Sequence, residues 1–139
     1  MRVLAIDPGE KQIGLAISDP TGTIANPLMI FKHQSNEKNL EVILGQIRSL
    51  QVVIVVIGQS LDDDGNPNFA GRRSQKLAES LRKKTSISVV LWDESFSTED
   101  ARNARIGMNV SHKKRQGHLD DLAATIILQS YLDNHKKDK

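Results

Sequence analysis

Met1-Arg-Val-Leu-Ala-Ile-Asp7-Pro-Gly9-Glu, followed at once by Gly14-Leu-Ala-Ile-Ser18, is the stretch whose reading decides the fold. Residues 2–6 are almost wholly apolar, with β-formers at Val3 and Ile6, so they read as a strand buried on both faces. The only carboxylate of the strand, Asp7, comes at its end. Pro8 and Gly9 suit the central positions of a type II turn, which needs a preset φ and then a positive one, so the chain is expected to reverse straight after Asp7. Gly14 lies inside the returning strand, where a missing side chain marks close approach of a ligand or another backbone. An aspartate at the lip of a sheet beside a glycine gap suits metal or phosphate chemistry. The competing reading is that Asp7 merely opens a turn.

Outward from this hairpin, residues 13–19 form a second strand, Pro20-Thr-Gly22 a turn, and residues 24–31 a third strand, together an antiparallel meander. Ser35 or Asn36 caps a helix with Leu40, Ile43, Leu44, Ile47 and Leu50 at helical spacing. Val52-Val-Ile-Val-Val-Ile57 is a β-branched run expected to be covered on both faces and to end at Gly58. The polar loop from Gln59 to Asn68, with Asp62-Asp-Asp64 in a solvated turn, must lie at the surface. A basic helix follows, with Phe69 or Ala70, Ser74, Leu77, Ala78 and Leu81 inward. Residues 87–92 form the fifth strand, which ends in Asp93-Glu94. Ser97 caps a short helix with Asp100 at the capping-box position, residues 107–117 read as a mobile basic loop, and a last helix runs from about His118 to Asn134.

This order predicts one α/β domain over residues 1–139, with a five-stranded mixed sheet flanked by helices. Strand–helix–strand crossovers are right-handed and make parallel neighbours, so the fourth and fifth strands should run parallel to each other and to the first. Asp7, the loop after Gly58 and Asp93-Glu94 then share the sheet edge where ligands of open α/β sheets bind. Without cysteine there is neither a disulfide framework nor a thiolate metal site. The opening enters a strand directly and no apolar run is long enough for a bilayer, so the expectation is a cytoplasmic protein with no membrane partner. Residues 1–69 hold five Lys/Arg against eight Asp/Glu, and residues 70–139 hold fourteen against nine. The basic second half permits a polyanionic partner.

In the last helix, Leu119, Leu122, Ala123, Ile126 and Ile127 are expected to form the packed face, and Asp120 falls three residues before Ala123 and seven before Ile127, so it is expected to lean toward the sheet. Asp121 aligns with Thr125 and Leu128 and is expected to point more toward solvent. A carboxylate directed at a packed interface calls for a cation or hydrogen-bond donors. A structural alternative is that Asp120 or His118 is only a helix cap.

Taken together, Asp7-Pro-Gly9, Gly14-x-Ala16, Val56-Ile-Gly58 with its Gly65-containing loop, Asp93-Glu94-x-x-Ser97-Thr98 and Leu119-Asp120-x-Leu-Ala123-Ala124 resemble the YqgF/RuvX family over nearly the whole chain. Each motif alone is weak, whereas the ordered set is specific. The resemblance implies a ribonuclease H-like fold and a nuclease implicated in maturing the 5′ end of pre-16S rRNA, a family earlier proposed to resolve Holliday junctions. Two departures stand out: Ser60 where the family often has proline, and Ser95 where arginine commonly follows Asp-Glu.

Phosphodiester cleavage of this kind uses two divalent ions roughly 3.5–4 Å apart. Mg²⁺ and Mn²⁺ prefer hard oxygen ligands. Asp7, Glu94 and Asp120 are therefore the expected catalytic and metal-holding residues. Asp93 competes with Glu94, since adjacent strand residues face opposite sides; the resemblance favours Glu94. Arg72, Arg73, Lys113, Lys114 and Arg115 are candidates for nucleic-acid contact, with pre-rRNA, branched DNA or ribosomal precursor particles as partners. Solvated helix and loop faces explain the same cations. Aromatics are scarce, so stacking on bases is expected to be minor. Two other readings share these features: a nucleotide-binding domain like those of actin-like and sugar-kinase ATPases, and a non-catalytic RNA-binding module.

Overall fold

A computed structural model describes residues 1–97 and 119–135. Five strands, β1 (Arg2–Pro8), β2 (Gln12–Ser18), β3 (Ala25–Lys32), β4 (Val52–Gln59) and β5 (Ser88–Asp93), make one sheet in the order β3-β2-β1-β4-β5. The β1-β2-β3 meander is antiparallel, and β4 and β5 run parallel to β1. The crossovers to the parallel strands are helices α1 (Asn36–Ser49) and α2 (Phe69–Lys84), and α3 (Leu119–Asn134) comes last in chain order. The short helix expected after Ser97 and the basic loop with Lys113, Lys114 and Arg115 lie outside the described residues. Among the described residues no helix is long and apolar enough to cross a membrane.

The period-two pattern of the strands divides the core between the two sheet faces. Leu4, Ile6, Ile13, Leu15, Val55 and Ile57 point to the side covered by α1 and α2, which add Leu40, Ile43, Ile47, Leu77 and Leu81. Ser35 starts α1 by accepting a hydrogen bond from the Lys38 backbone N–H at 3.2 Å. Burying a side chain such as Ile43 contributes about 1.5–3 kcal/mol relative to leaving it in water. The opposite face is built from smaller groups. Val3, Ala5, Ala16 and Val56 meet Ala124, Ile127, Leu128 and Tyr131 of α3. Short side chains on the sheet let this helix lie close to the backbone.

Two contacts on opposite flanks fix α3 about its own axis. On the meander side, the Gln129 side chain accepts from the Ala25 backbone N–H at 2.9 Å and donates to the Thr23 carbonyl at 3.0 Å. On the β5 side, Trp92 Nε1 donates to Ser130 Oγ at 3.2 Å and the Trp92 ring stands edge-on to Tyr131 at 5.4 Å. His135, which has no role legible in the sequence, stacks on Tyr131 at 4.0 Å.

Three local expectations are corrected. Gly9 does not adopt a positive φ, and β1 continues through Pro8, which pairs with Ile13. The glycine is required for space instead, because a Cβ there would stand 2.4 Å from the Gln12 carbonyl oxygen. Gly58 does not end β4; it pairs with Trp92 and the strand runs on to Gln59. Phe69 and Ala70 are exposed, and the inward position of that turn belongs to Gly71, where a Cβ would stand 2.1 Å from the Ser60 carbonyl oxygen. Ser60 also accepts a hydrogen bond from Asn68 Nδ2 at 2.7 Å, while Asn68 caps α2 by accepting from Gly71 N–H at 2.9 Å. The serine thus ties the loop to the helix start.

Candidate active site at the carboxyl edge of three parallel strands

Alternation along β1 sets Val3, Ala5 and Asp7 on the α3 face of the sheet. Asp7 pairs directly with Gly14 of β2. On its other side Ile6 pairs with Ile57, which brings Gly58 of β4 level with Asp7. The carboxylate therefore stands between two residues without side chains. The Ser74 hydroxyl of α2 holds the strand from below, donating to the Gly58 carbonyl at 2.6 Å.

Glu94 opens a 3₁₀ turn, Glu94–Ser97, directly after β5. Its side chain folds back over Gly58: a Cβ on that glycine would stand 3.1 Å from Glu94 Oε1, 3.3 Å from Glu94 Cγ and 2.5 Å from Ile127 Cδ1. Glu94 is thus on the α3 face with Asp7. Asp93, one residue earlier, lies on the other phase of β5, and its Oδ1 accepts from the Ser95 backbone N–H at 2.9 Å. Strand backbones on either side of β4 lie about 10 Å apart, two inter-strand spacings. Two carboxylates can close that span because the residue between them is glycine.

Asp120 lies in the first turn of α3, and its side chain is outside the described residues. Its backbone position can still be set by helical phase. Asp120 precedes Ile127 by seven residues, on the stripe that includes Tyr131 and faces Gly58 and β5. Asp121 shares the stripe of Thr125 and Leu128. Both of those residues are fully buried, while the side chain of Asp121 itself lies outside the described residues.

Burial, and secondarily the neighbouring Asp93 carboxylate, pushes the Glu94 pKa above its ordinary value. A raised folded-state pKa contributes stability below about pH 4.5, where folded and unfolded forms are both protonated, and loses it as pH rises through the folded value. Glu94→Gln is therefore expected to raise the urea midpoint at pH 7 in a chelator. The gain should shrink toward zero by pH 4, and an equal gain at both pH values would contradict it.

The cations expected to meet substrate divide in the same way. Arg73 reaches the end of β1, its Nη1 donating to the Pro8 carbonyl at 3.4 Å, and Arg72 donates to the Pro67 carbonyl at 3.4 Å. Both belong to the α2 side of the edge. Lys113, Lys114 and Arg115 lie outside the described residues. Among the described residues no three acidic, histidine or cysteine side chains gather to hold a metal ion. Asp7 and Glu94 stand on the same face of the sheet at the ends of β1 and β5, with Gly58 of β4 between them. Sequence reasoning missed Phe69 at this edge; its spacing of four and seven residues from Arg73 and Lys76 set it on a polar stripe, a signal that could have placed it outside the core.

The protein-family model described as "RuvX: Holliday junction resolvase" matches residues 1–134. A protein of Thermoanaerobacter pseudethanolicus named "Putative pre-16S rRNA nuclease" is 38% identical over 137 residues, covering 98% of this chain and 99% of its own. One of the same name from Caldanaerobacter subterraneus subsp. tengcongensis is 40% identical over 137 residues, with coverage of 98% and 99%. Among solved structures, Thermus thermophilus RuvC in complex with a Holliday junction superposes with a TM-score of 0.65 at 16% identity, covering 98% of this chain and 97% of that one. The fowlpox virus Holliday junction resolvase gives 0.56 at 16% identity, with coverage of 96% and 99%. These likenesses show the ribonuclease H-like fold.

Proposed function

Because the chain belongs to the RuvX family, we propose that it is a metal-dependent nuclease acting on phosphodiester bonds of structured nucleic acid, in the 5′-end processing of pre-16S rRNA in the cytoplasm. The observation that carries this reading is the placement of Asp7 and Glu94 on one face of the sheet at the carboxyl ends of β1 and β5, with Gly58 of β4 between them. The curated relatives named for pre-16S rRNA favour RNA over branched DNA.

The residues fit divalent cations. Asp7 and Glu94 supply hard oxygen donors suited to Mg²⁺ or Mn²⁺, with Asp120 of α3 as the third ligand. Glu94 is held where its ionised form is disfavoured by burial and by Asp93, so a cation beside it would restore the charged state. When bound, two such ions supply an activated water and charge neutralisation on the reacting phosphate. The missing side chain at Gly58 leaves room for Glu94 and Ile127 to pack over β4 beside Asp7. Ser74 and Ile127 hold Gly58 and Glu94 in place from opposite sides of the sheet. Arg73, fixed at the end of β1, is placed to meet a neighbouring phosphate of the same strand.

The test is cleavage of a 5′-extended 16S precursor RNA and of a four-way DNA junction, each with Mg²⁺ or Mn²⁺ and with EDTA. Cleavage of the precursor that EDTA abolishes is the expected result. Preferred cutting of the junction would overturn the RNA assignment. Tight binding of either substrate without turnover would make the protein a binding module.

A further inference from the structure

We propose that the start of α2 is a binding platform for a single-stranded segment of nucleic acid, with an unpaired base stacked on Phe69 and its flanking phosphates held by Arg72, Arg73 and Lys76. The inference deepens the nuclease reading by naming the substrate element that approaches the carboxyl edge from the α2 side.

Phe69 is 75% exposed, the most exposed large apolar side chain among the described residues. It stands at the first position of α2, where Gly71 rather than the phenyl ring occupies the packed side. Leaving so much apolar area in water is unfavourable, and nothing in the folding of α2 requires it, because Ser74, Leu77, Ala78 and Leu81 already anchor the helix. The Arg72 and Arg73 guanidinium carbons lie 5.7 and 5.8 Å from the ring centroid. Together with Lys76 they line a depression of about 280 Å³ on the helix surface. A second cavity of about 200 Å³ shares Arg73 and Lys76 and extends to Pro8 and His33, so the basic surface continues to the end of β1.

The chemistry of this patch selects its ligand. A largely exposed aromatic ring among three cations, with no acidic side chain lining either depression, suits a polyanion that also carries flat rings. Single-stranded nucleic acid has both, whereas a duplex hides its base faces. Asn68 and Ser60 fix the helix start on which the ring stands, so the platform is preformed. Arg73 ties it to Pro8, one residue from Asp7, so a strand lying here passes the sheet edge next to the candidate carboxylates.

Fluorescence anisotropy of a labelled unstructured oligouridine and of a blunt RNA duplex, both in EDTA so that cleavage plays no part, tests the platform. Phe69→Ala is expected to weaken single-strand binding about tenfold or more, with an unchanged salt slope and little effect on the duplex. Phe69→Trp should restore binding. Arg72→Ala and Arg73→Ala should each flatten the salt dependence by roughly 0.7. Equal single-strand affinity of Phe69→Ala and the parent protein would overturn the platform, as would equal losses for strand and duplex. A dimer in sedimentation that Phe69→Ala dissolves without changing oligouridine affinity would also overturn it, by assigning the ring to a contact between copies. Platform binding that persists with no cleavage of any substrate would instead count against the nuclease reading alone.

Discussion

Replacing Asp7 with asparagine is expected to lower metal-dependent cleavage by about 10²–10³-fold, the equivalent of several kcal/mol of transition-state stabilisation, while nucleic-acid affinity measured in EDTA stays within a few-fold of the parent. Asparagine keeps the shape of the side chain between Gly14 and Gly58 and removes the charge that a cation needs. The fold should not suffer, because β1 is held by its ladders to β2 and β4 and by Val3, Leu4, Ala5 and Ile6, all buried. Asp120→Asn should behave alike, since its backbone lies on the α3 stripe that faces Gly58. Single-turnover cleavage of the precursor RNA, with a urea titration of each variant, checks the pair. Undiminished cleavage by Asp7→Asn would place the reacting centre elsewhere.

Gly58→Ala should cost both stability and activity, and the two losses should be separable. The new methyl would stand 2.5 Å from Ile127 Cδ1 and 3.1 Å from Glu94 Oε1, so α3 and Glu94 must both give way. Overpacking of this kind costs about 1–3 kcal/mol. Ile127→Val removes the Cδ1 atom that the methyl meets, at a cost of about 0.5–1.5 kcal/mol on its own. In the double variant the losses should therefore add to less than their sum, a coupling measurable by urea midpoints. Cleavage should stay low in the double variant, because the trimmed side chain does nothing for the displaced Glu94. Full recovery of cleavage along with stability would mean that Gly58 serves packing alone.

The sheet was legible because its information is local. An apolar run at residues 2–6, a β-branched run at 52–57 and two helices between parallel strands admit few arrangements once crossover handedness is fixed. The choice between Asp93 and Glu94 is not legible from periodicity, since it depends on where β5 gives way to a 3₁₀ turn and on a side chain folding back over a glycine on the strand next to Asp7. The turn after Asp7 misled for a related reason: Pro8-Gly9 satisfies a type II pattern, but the ladder to Ile13 extends the strand and makes the Gln12 carbonyl, rather than a positive φ, the reason for glycine. Hydrophobicity alone points Phe69 or Ala70 inward. The spacing of Gly71, Ser74, Ala78 and Leu81 at intervals of three, four and three marks the true packed face, on which an aromatic ring at position 69 has no place. In α3, burial of Thr125 and Leu128 beside Ala124 and Ile127 shows that a helix crossing a sheet of small residues buries a broader arc than the apolar spacing alone marks.

The face formed by Val3, Ala5, Ala16 and Val56 acquires its cover only from α3, the element made last of those described. During synthesis the strands and first two helices emerge earlier, and this side of the growing chain stays wet and adhesive until residues 119–134 clear the exit tunnel. A nascent polypeptide halted before that point would hold Asp7 and Glu94 yet present an apolar surface to chaperones instead of a finished pocket.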